Sequence, residues 1–170
     1  SYFEKCVVDV NVKLNCRVNK FDNDKREVHT NIGKFKADIV VNSVHIDTIF
    51  NYQYGKLQYC GRSFVPLWLP IKNALPNDLT WIHFSGKEAH TRATEFKKIT
   101  NYKSDSTLIG IEIANTVGRY YPVQSPNELK RFELYKSLFP KNFYSIGRPG
   151  KFCYQGIPDS IKDAIIINES

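Results

Sequence analysis

Nowhere in its 170 residues does the chain contain a G-x-G-x-x-G turn, the glycine pattern that lets a backbone approach a dinucleotide pyrophosphate. Cysteine is sparse: Cys6, Cys16, Cys60 and Cys153 are far apart and form no C-x-x-C, so zinc ribbons and thioredoxin-like motifs are unsupported. Four buried, reduced thiols are expected, not two disulfides. The histidines are dispersed as well. His83, Glu88 and His90 in HFSGKEAH miss the one-face spacing of H-E-x-x-H, and no metal site is expected. Basic residues outnumber acidic ones 24 to 17, for a net charge of +7. Yet Lys25-Arg26, Lys97-Lys98 and Lys130-Arg131 are isolated pairs, with none of the clustering that nucleic-acid binding requires. The excess charge suits small anionic ligands or solubility, with no nucleic acid as partner. No apolar stretch approaches the roughly 20 residues of a membrane span, so no membrane partner is expected. Glu4, Lys5 and Asp9 interrupt the place where a secretory signal would be apolar. Methionine is absent altogether, which leaves open whether the chain was cut. The expectation is a cytoplasmic protein.

What is present argues for a folded chain, read as one domain over 1–170. Hydrophobic residues make up 42% and aromatics 14%, enough for a real core. Val8, Val10, Val12 and Leu14 alternate with polar residues, predicting a half-buried strand over Val7 to Val18. Asp22-Asn23-Asp24 predicts a hairpin turn into a strand through Val28. ADIVVNS reads as a strand buried on both faces. KLQYCGRSFVPLWLPI reads as a strand that Pro66 and Pro70 end or confine to an edge. LTWIHFS and STLIGIEIA are further strands. SPNELKRFELYKSLF is the clearest helix: Ser125 caps it, Pro126 opens it, Glu128 completes a capping box, and Leu129, Phe132, Tyr135 and Leu138 form its core stripe. The fold class is α+β, an antiparallel or mixed sheet with a few late helices.

The segment YSIGRPGKFCYQGIPDSIKDAI concentrates three glycines and two prolines. Phe143 to Ile146 reads as a strand end, Pro149-Gly150 as the centre of a type II turn, and Pro158 as the first turn of a helix. Ile157, Ile161, Ala164 and Ile165 would be that helix's buried face. A strand, a glycine turn and a helix N-terminus can hold a phosphate, although a plain strand-to-helix connection fits the same residues.

Four blocks carry a family resemblance. VNSVHIDTIFNYQYGKLQYCGRSF (Val41 to Phe64), HTRATEFKKIT (His90 to Thr100), RYYPVQSPNELKRFELY and FYSIGRPGKFCYQGIPDSI resemble, in order and spacing, the C-terminal half of UDP-galactopyranose mutases. The resemblance runs from about Ala37 to Ile165. It implies a flavoenzyme that interconverts the pyranose and furanose forms of UDP-galactose. In that family reduced FAD supplies the nucleophile: flavin N5 attacks the anomeric carbon, UDP departs, and the opened sugar recloses with the other ring size. Carried over position by position, Arg92, Tyr121 and Tyr154 would face the diphosphate of the UDP-sugar. Gly147, Arg148, Gly156 and Ile157 would lie against FAD. Read alone, Arg92 beside Glu95 fits a surface ion pair, and the tyrosines fit half-buried packing.

Departures from the family pattern matter equally. An acidic residue of the family is Gly156 here, and an arginine is Cys153. His90 replaces a tyrosine and Phe96 a histidine. Pro158 offers no N–H near the flavin. The family's N-terminal half, with its glycine-rich FAD-binding turn and uridine-holding helices, has no counterpart in the sequence. Two readings follow: the C-terminal part of a mutase-like enzyme, inactive without an FAD-binding half on a missing segment or partner chain, or a stand-alone non-catalytic descendant used for binding or structure.

Overall fold

A computed structural model describes residues 2–76 and 78–169. The first elements are α1 (Tyr2–Cys6), β1 (Val18–Asp22), β2 (Glu27–Thr30), β3 (Gly33–Lys36), β4 (Val40–Asn42) and α2 (Ile46–Ile49). Then come β5 (Tyr59–Leu69), β6 (Trp81–His83), β7 (His90–Glu95), α3 (Phe96–Thr100), β8 (Thr107–Asn115) and β9 (Tyr121–Pro122). The chain ends with α4 (Pro126–Lys136), β10 (Phe143–Ser145), α5 (Gly147–Lys151) and α6 (Ile157–Glu169). This is the mixed α+β class with antiparallel sheets that the sequence implies. The elements gather into two compact units, one of residues 1–57 and 124–170 and one of residues 58–123.

In the first unit, β1, β2 and β3 form an antiparallel meander. The Asp22 turn is as expected: Asp22 Oδ1 accepts from the Lys25 N–H at 3.1 Å, and Arg26 takes φ 51°. β4 pairs in parallel with β10. The core is aromatic. Phe21 and Phe143 lie 5.1 Å apart, Phe139 and Phe143 4.9 Å, and Phe132 and Phe152 5.5 Å. Tyr135 is fully buried; its hydroxyl donates to Gly55 O at 2.8 Å and accepts from the Tyr54 N–H at 3.1 Å. Asp47, also fully buried, accepts from the Leu57 N–H at 2.9 Å and so fixes the loop after α2, where Asn51 and Tyr52 adopt positive φ.

Several expectations for this unit are corrected. Val7 to Arg17 is not a strand, and Val8, Val10, Val12 and Leu14 are all exposed. Alternation makes a strand only where another strand supplies ladder partners, and β1 begins at Val18, which pairs with Thr30. β4 is not buried on both faces: Val41 is exposed, as is Ile39 just before the strand. Ser125 caps α4, its Oγ accepting from the Glu128 N–H at 3.4 Å. The stripe is narrower than predicted, since Leu129 is 40% exposed. α6 forms, but none of its residues is buried. The four thiols are free, as expected, yet none is buried.

The second unit is a five-stranded sheet ordered β6-β7-β8-β5-β9. Pro66 lies where β5 is flanked by β8 alone, because β9 reaches only Tyr59 and Cys60. A proline tolerates such an edge, its missing N–H costing no ladder bond there. β5 stops at Leu69, just before Pro70. Glu95, at the end of β7, is fully buried and ties the loops together. It accepts from the N–H groups of Ala74 (3.1 Å) and Leu75 (3.0 Å) and the Thr107 hydroxyl (2.7 Å), and pairs with Lys98 (3.2 Å).

Candidate functional site

In the sheet of the second unit, register places four side chains on one face. Arg92 on β7 stands directly opposite Glu112 on β8, and directly opposed residues of an antiparallel pair share a face. Arg62 on β5 opposes Ala114, two residues beyond Glu112, and Cys60, two before Arg62, opposes Tyr121 on β9. The period of two then sets Arg62, Arg92, Glu112 and Tyr121 side by side. Glu112 is 1% exposed, and each of its carboxylate oxygens accepts from one guanidinium, Oε1 from Arg92 and Oε2 from Arg62. The Arg62 guanidinium also lies over the Tyr121 ring, 4.7 Å from its centre.

Two cations on one carboxylate leave one positive charge in excess. Both arginine side chains keep about a third of their surface in solvent, 28% and 33%, so the excess faces outward. The buried carboxylate holds both forks in place before any ligand arrives. A pre-set pair of guanidinium groups suits a phosphate or diphosphate, which accepts several charge-assisted hydrogen bonds.

Arg92 is therefore not the partner of Glu95 that its sequence neighbourhood suggests; its carboxylate is Glu112, twenty residues on. Tyr121 belongs to the cluster, with its ring supporting Arg62. Sequence reasoning missed Arg62 and Glu112. Their signal was a lone arginine in YCGRSFVPLWL and a lone carboxylate in TLIGIEIAN, each in an otherwise uncharged strand that must supply it with a counter-charge.

The other expected residues lie in the first unit. GRPGK forms a single helical turn, α5, in place of the type II turn. The positive φ is at Gly147 (71°), not at Gly150. Gly150 is required for closeness: a Cβ there would lie 2.7 Å from Ser145 Oγ and 2.9 Å from Asn42 O. Arg148 stacks over the Tyr154 ring at 4.6 Å and donates from Nη2 to Gln155 O at 3.2 Å. Tyr154 is 73% and Ile157 75% exposed. The Gly156 N–H donates to Asp159 Oδ2 at 2.8 Å. A carboxylate thus does reach Gly156, but it is spent on the start of α6. Partial burial pushes the Cys153 thiol up from its ordinary value. Among the described residues, Asp22, Glu27 and His29 also gather on one face of the meander, where Lys36 pairs with Glu27.

Comparison with known proteins places the chain among characterised folds. A UDP-galactopyranose mutase family profile covers residues 1–154, reaching further toward the N-terminus than the four blocks and stopping before α6. The chain is 24% identical over 157 residues to a UDP-galactopyranose mutase of Mycoplasma genitalium, covering 85% of this chain and 38% of that protein. Among solved structures it resembles a reduced UDP-galactopyranose mutase, with TM-score 0.62 and 15% identity over 79% of this chain and 41% of the other. It also resembles a protein of an Exiguobacterium species assigned as a protoporphyrinogen oxidase, with TM-score 0.64 and 13% identity over 99% and 50%. At those identities the structural likenesses concern the fold alone. The chain spans half or less of the length of these relatives. With a profile covering all but the last 16 of its 170 residues, the chain belongs to the UDP-galactopyranose mutase family.

Proposed function

We propose that this chain is the sheet-bearing, C-terminal portion of a mutase-like flavoenzyme acting on a UDP-sugar in the cytoplasm, and that the Arg62–Glu112–Arg92 cluster holds the diphosphate. The observation that carries this reading is the pair of arginine side chains, each about a third exposed, locked on one buried carboxylate beside Tyr121. In the reaction, this chain's residues would hold the UDP leaving group while the sugar bond breaks, since fixed cations stabilise charge that develops there. Tyr154 and Arg148 remain proposed contacts to the diphosphate and to FAD.

FAD, when bound, supplies the nucleophile in this family. The residues here fit it incompletely: the Gly156 N–H is taken by Asp159, and Pro158 has none to give. Gly147, Arg148, Gly156 and Ile157 do not amount to a flavin site by themselves. This chain alone is expected to bind FAD weakly or not at all, and stoichiometric flavin absorbance in the purified protein would overturn that.

The direct test is calorimetry with UDP. Arg92→Ala should weaken binding by about 1.5–3 kcal/mol, the range for a hydrogen bond to a charged partner. An unchanged affinity would remove Arg92 from the site. The stand-alone, non-catalytic reading draws support from Gly156, which lacks the family's carboxylate. It predicts UDP binding without isomerisation even when an FAD-binding half is supplied.

A further inference from the structure

The second unit carries two adjoining cavities away from the arginine cluster. One, of 640 Å³, is lined by Lys72, Lys97, Lys98, Lys103, Asn73 and Asn101, with Asp105 as its only acid among the described residues. The other, of 280 Å³, is lined by Trp68, Phe96 and Leu108. Tyr102, Lys97 and Ser104 line both and form the wall between them.

A solvated lysine patch would have mobile side chains, but here the floor is pinned. Lys97 Nζ donates to Ser104 O at 2.8 Å and Ser106 O at 3.0 Å. Lys98 Nζ donates to the carbonyls of Leu75, Pro76 and Leu79. Asn101 ends α3 in the left-handed conformation, and the Tyr102 N–H donates to Lys97 O at 3.0 Å, which turns the chain so that Lys103 and Asp105 rim the cavity. Among the described residues, Lys72 and Lys103 show no polar partner. Lys98 is compensated by Glu95, but Lys72, Lys97 and Lys103 remain like charges around one concavity; they repel each other, and an anion relieves that repulsion.

The neighbouring slot adds a second requirement. Trp68 is 66% and Tyr102 70% exposed, an unusual outlay of aromatic surface for a pocket wall. Exposed aromatic faces beside cations are the arrangement that stacks a nucleobase while its phosphate meets the positive charge. We propose that these joined cavities bind a nucleoside phosphate, with the base against Trp68 and Tyr102 and the phosphate over Lys72, Lys97 and Lys103. The site is separate from the arginine cluster: Arg62 and Trp68 are six residues apart on one extended strand, about 20 Å.

The experiment is a fluorescence titration in a Trp81→Phe background, where Trp68 is the sole indole. UMP, uridine and inorganic phosphate are the probes. UMP should quench Trp68 saturably, while inorganic phosphate should not. Lys72→Glu with Lys103→Glu should weaken UMP binding by roughly tenfold or more, through reversal of both charges. Tyr102→Ala, which alters no charge, should weaken it too. Arg92→Ala should leave it unchanged, and this separates failure here from failure of the diphosphate reading. Absence of quenching by UMP, equal quenching by phosphate alone, indifference to both the lysine and the Tyr102 changes, or loss on Arg92→Ala would overturn the proposal.

Discussion

At the residue scale, Glu95 shows how a charge can be structural in a motif that reads as functional. Burial pushes its carboxyl up. Hydrogen bonds from the Leu75 N–H, the Thr107 hydroxyl, the Ala74 N–H and Lys98 outweigh this and hold it at about 2, against an ordinary 4.5. A depressed folded-state value means the stabilisation is complete above pH 4.5 and is lost as pH falls through about 2. Denaturant midpoints measured across that window should therefore fall in the parent protein. Glu95→Gln should begin about 1.5–3 kcal/mol less stable at neutral pH and fall less steeply with acid. Equal slopes in the two proteins would mean that Glu95 titrates normally. Glu112 was harder to read in the sequence than Glu95, because its two partners are 20 and 50 residues away and only strand register brings them together.

At the element scale, α4 was legible because its cap and stripe are both local: Ser125, Pro126 and the three-residue spacing of the stripe sit within one segment. Which part of the stripe is buried is not local. Phe132 packs on Phe152 and is 9% exposed, whereas Leu129 is 40% exposed. Phe132→Ala should cost about 3–5 kcal/mol, and Leu129→Ala under about 1 kcal/mol, its surface being largely in water already. Chemical denaturation of the two variants checks this, and equal losses would contradict the packing of α4. The Val7–Arg17 segment misled for the complementary reason. Its two-residue period is real, but no strand lies beside it to make use of it.

At the scale of the whole molecule, the α+β class, the family and the free thiols could be read from composition and motif order. The grouping of Arg62 with Glu112 and the α5 turn could not. Both depend on contacts between segments distant in sequence: strand register for the first, and for the second the approach of Gly150 to Asn42. The sheet unit exposes Phe64, Leu67 and Trp81, and α6 exposes Ile157, Ile161, Ile165 and Ile166. Such apolar surface supports the reading that further protein completes the enzyme. The proposed role of Arg62 and Arg92, braced by Glu112, is to hold a diphosphate. Nuclear magnetic resonance of ¹⁵N-arginine-labelled protein tests it most directly, by following side-chain Nε–Hε signals as UDP is added. The Arg62 and Arg92 signals should move together along one saturation curve, and both responses should vanish in Glu112→Ala. Signals of Arg62 and Arg92 that stay fixed while UDP binds elsewhere, or at saturating UDP, would contradict it.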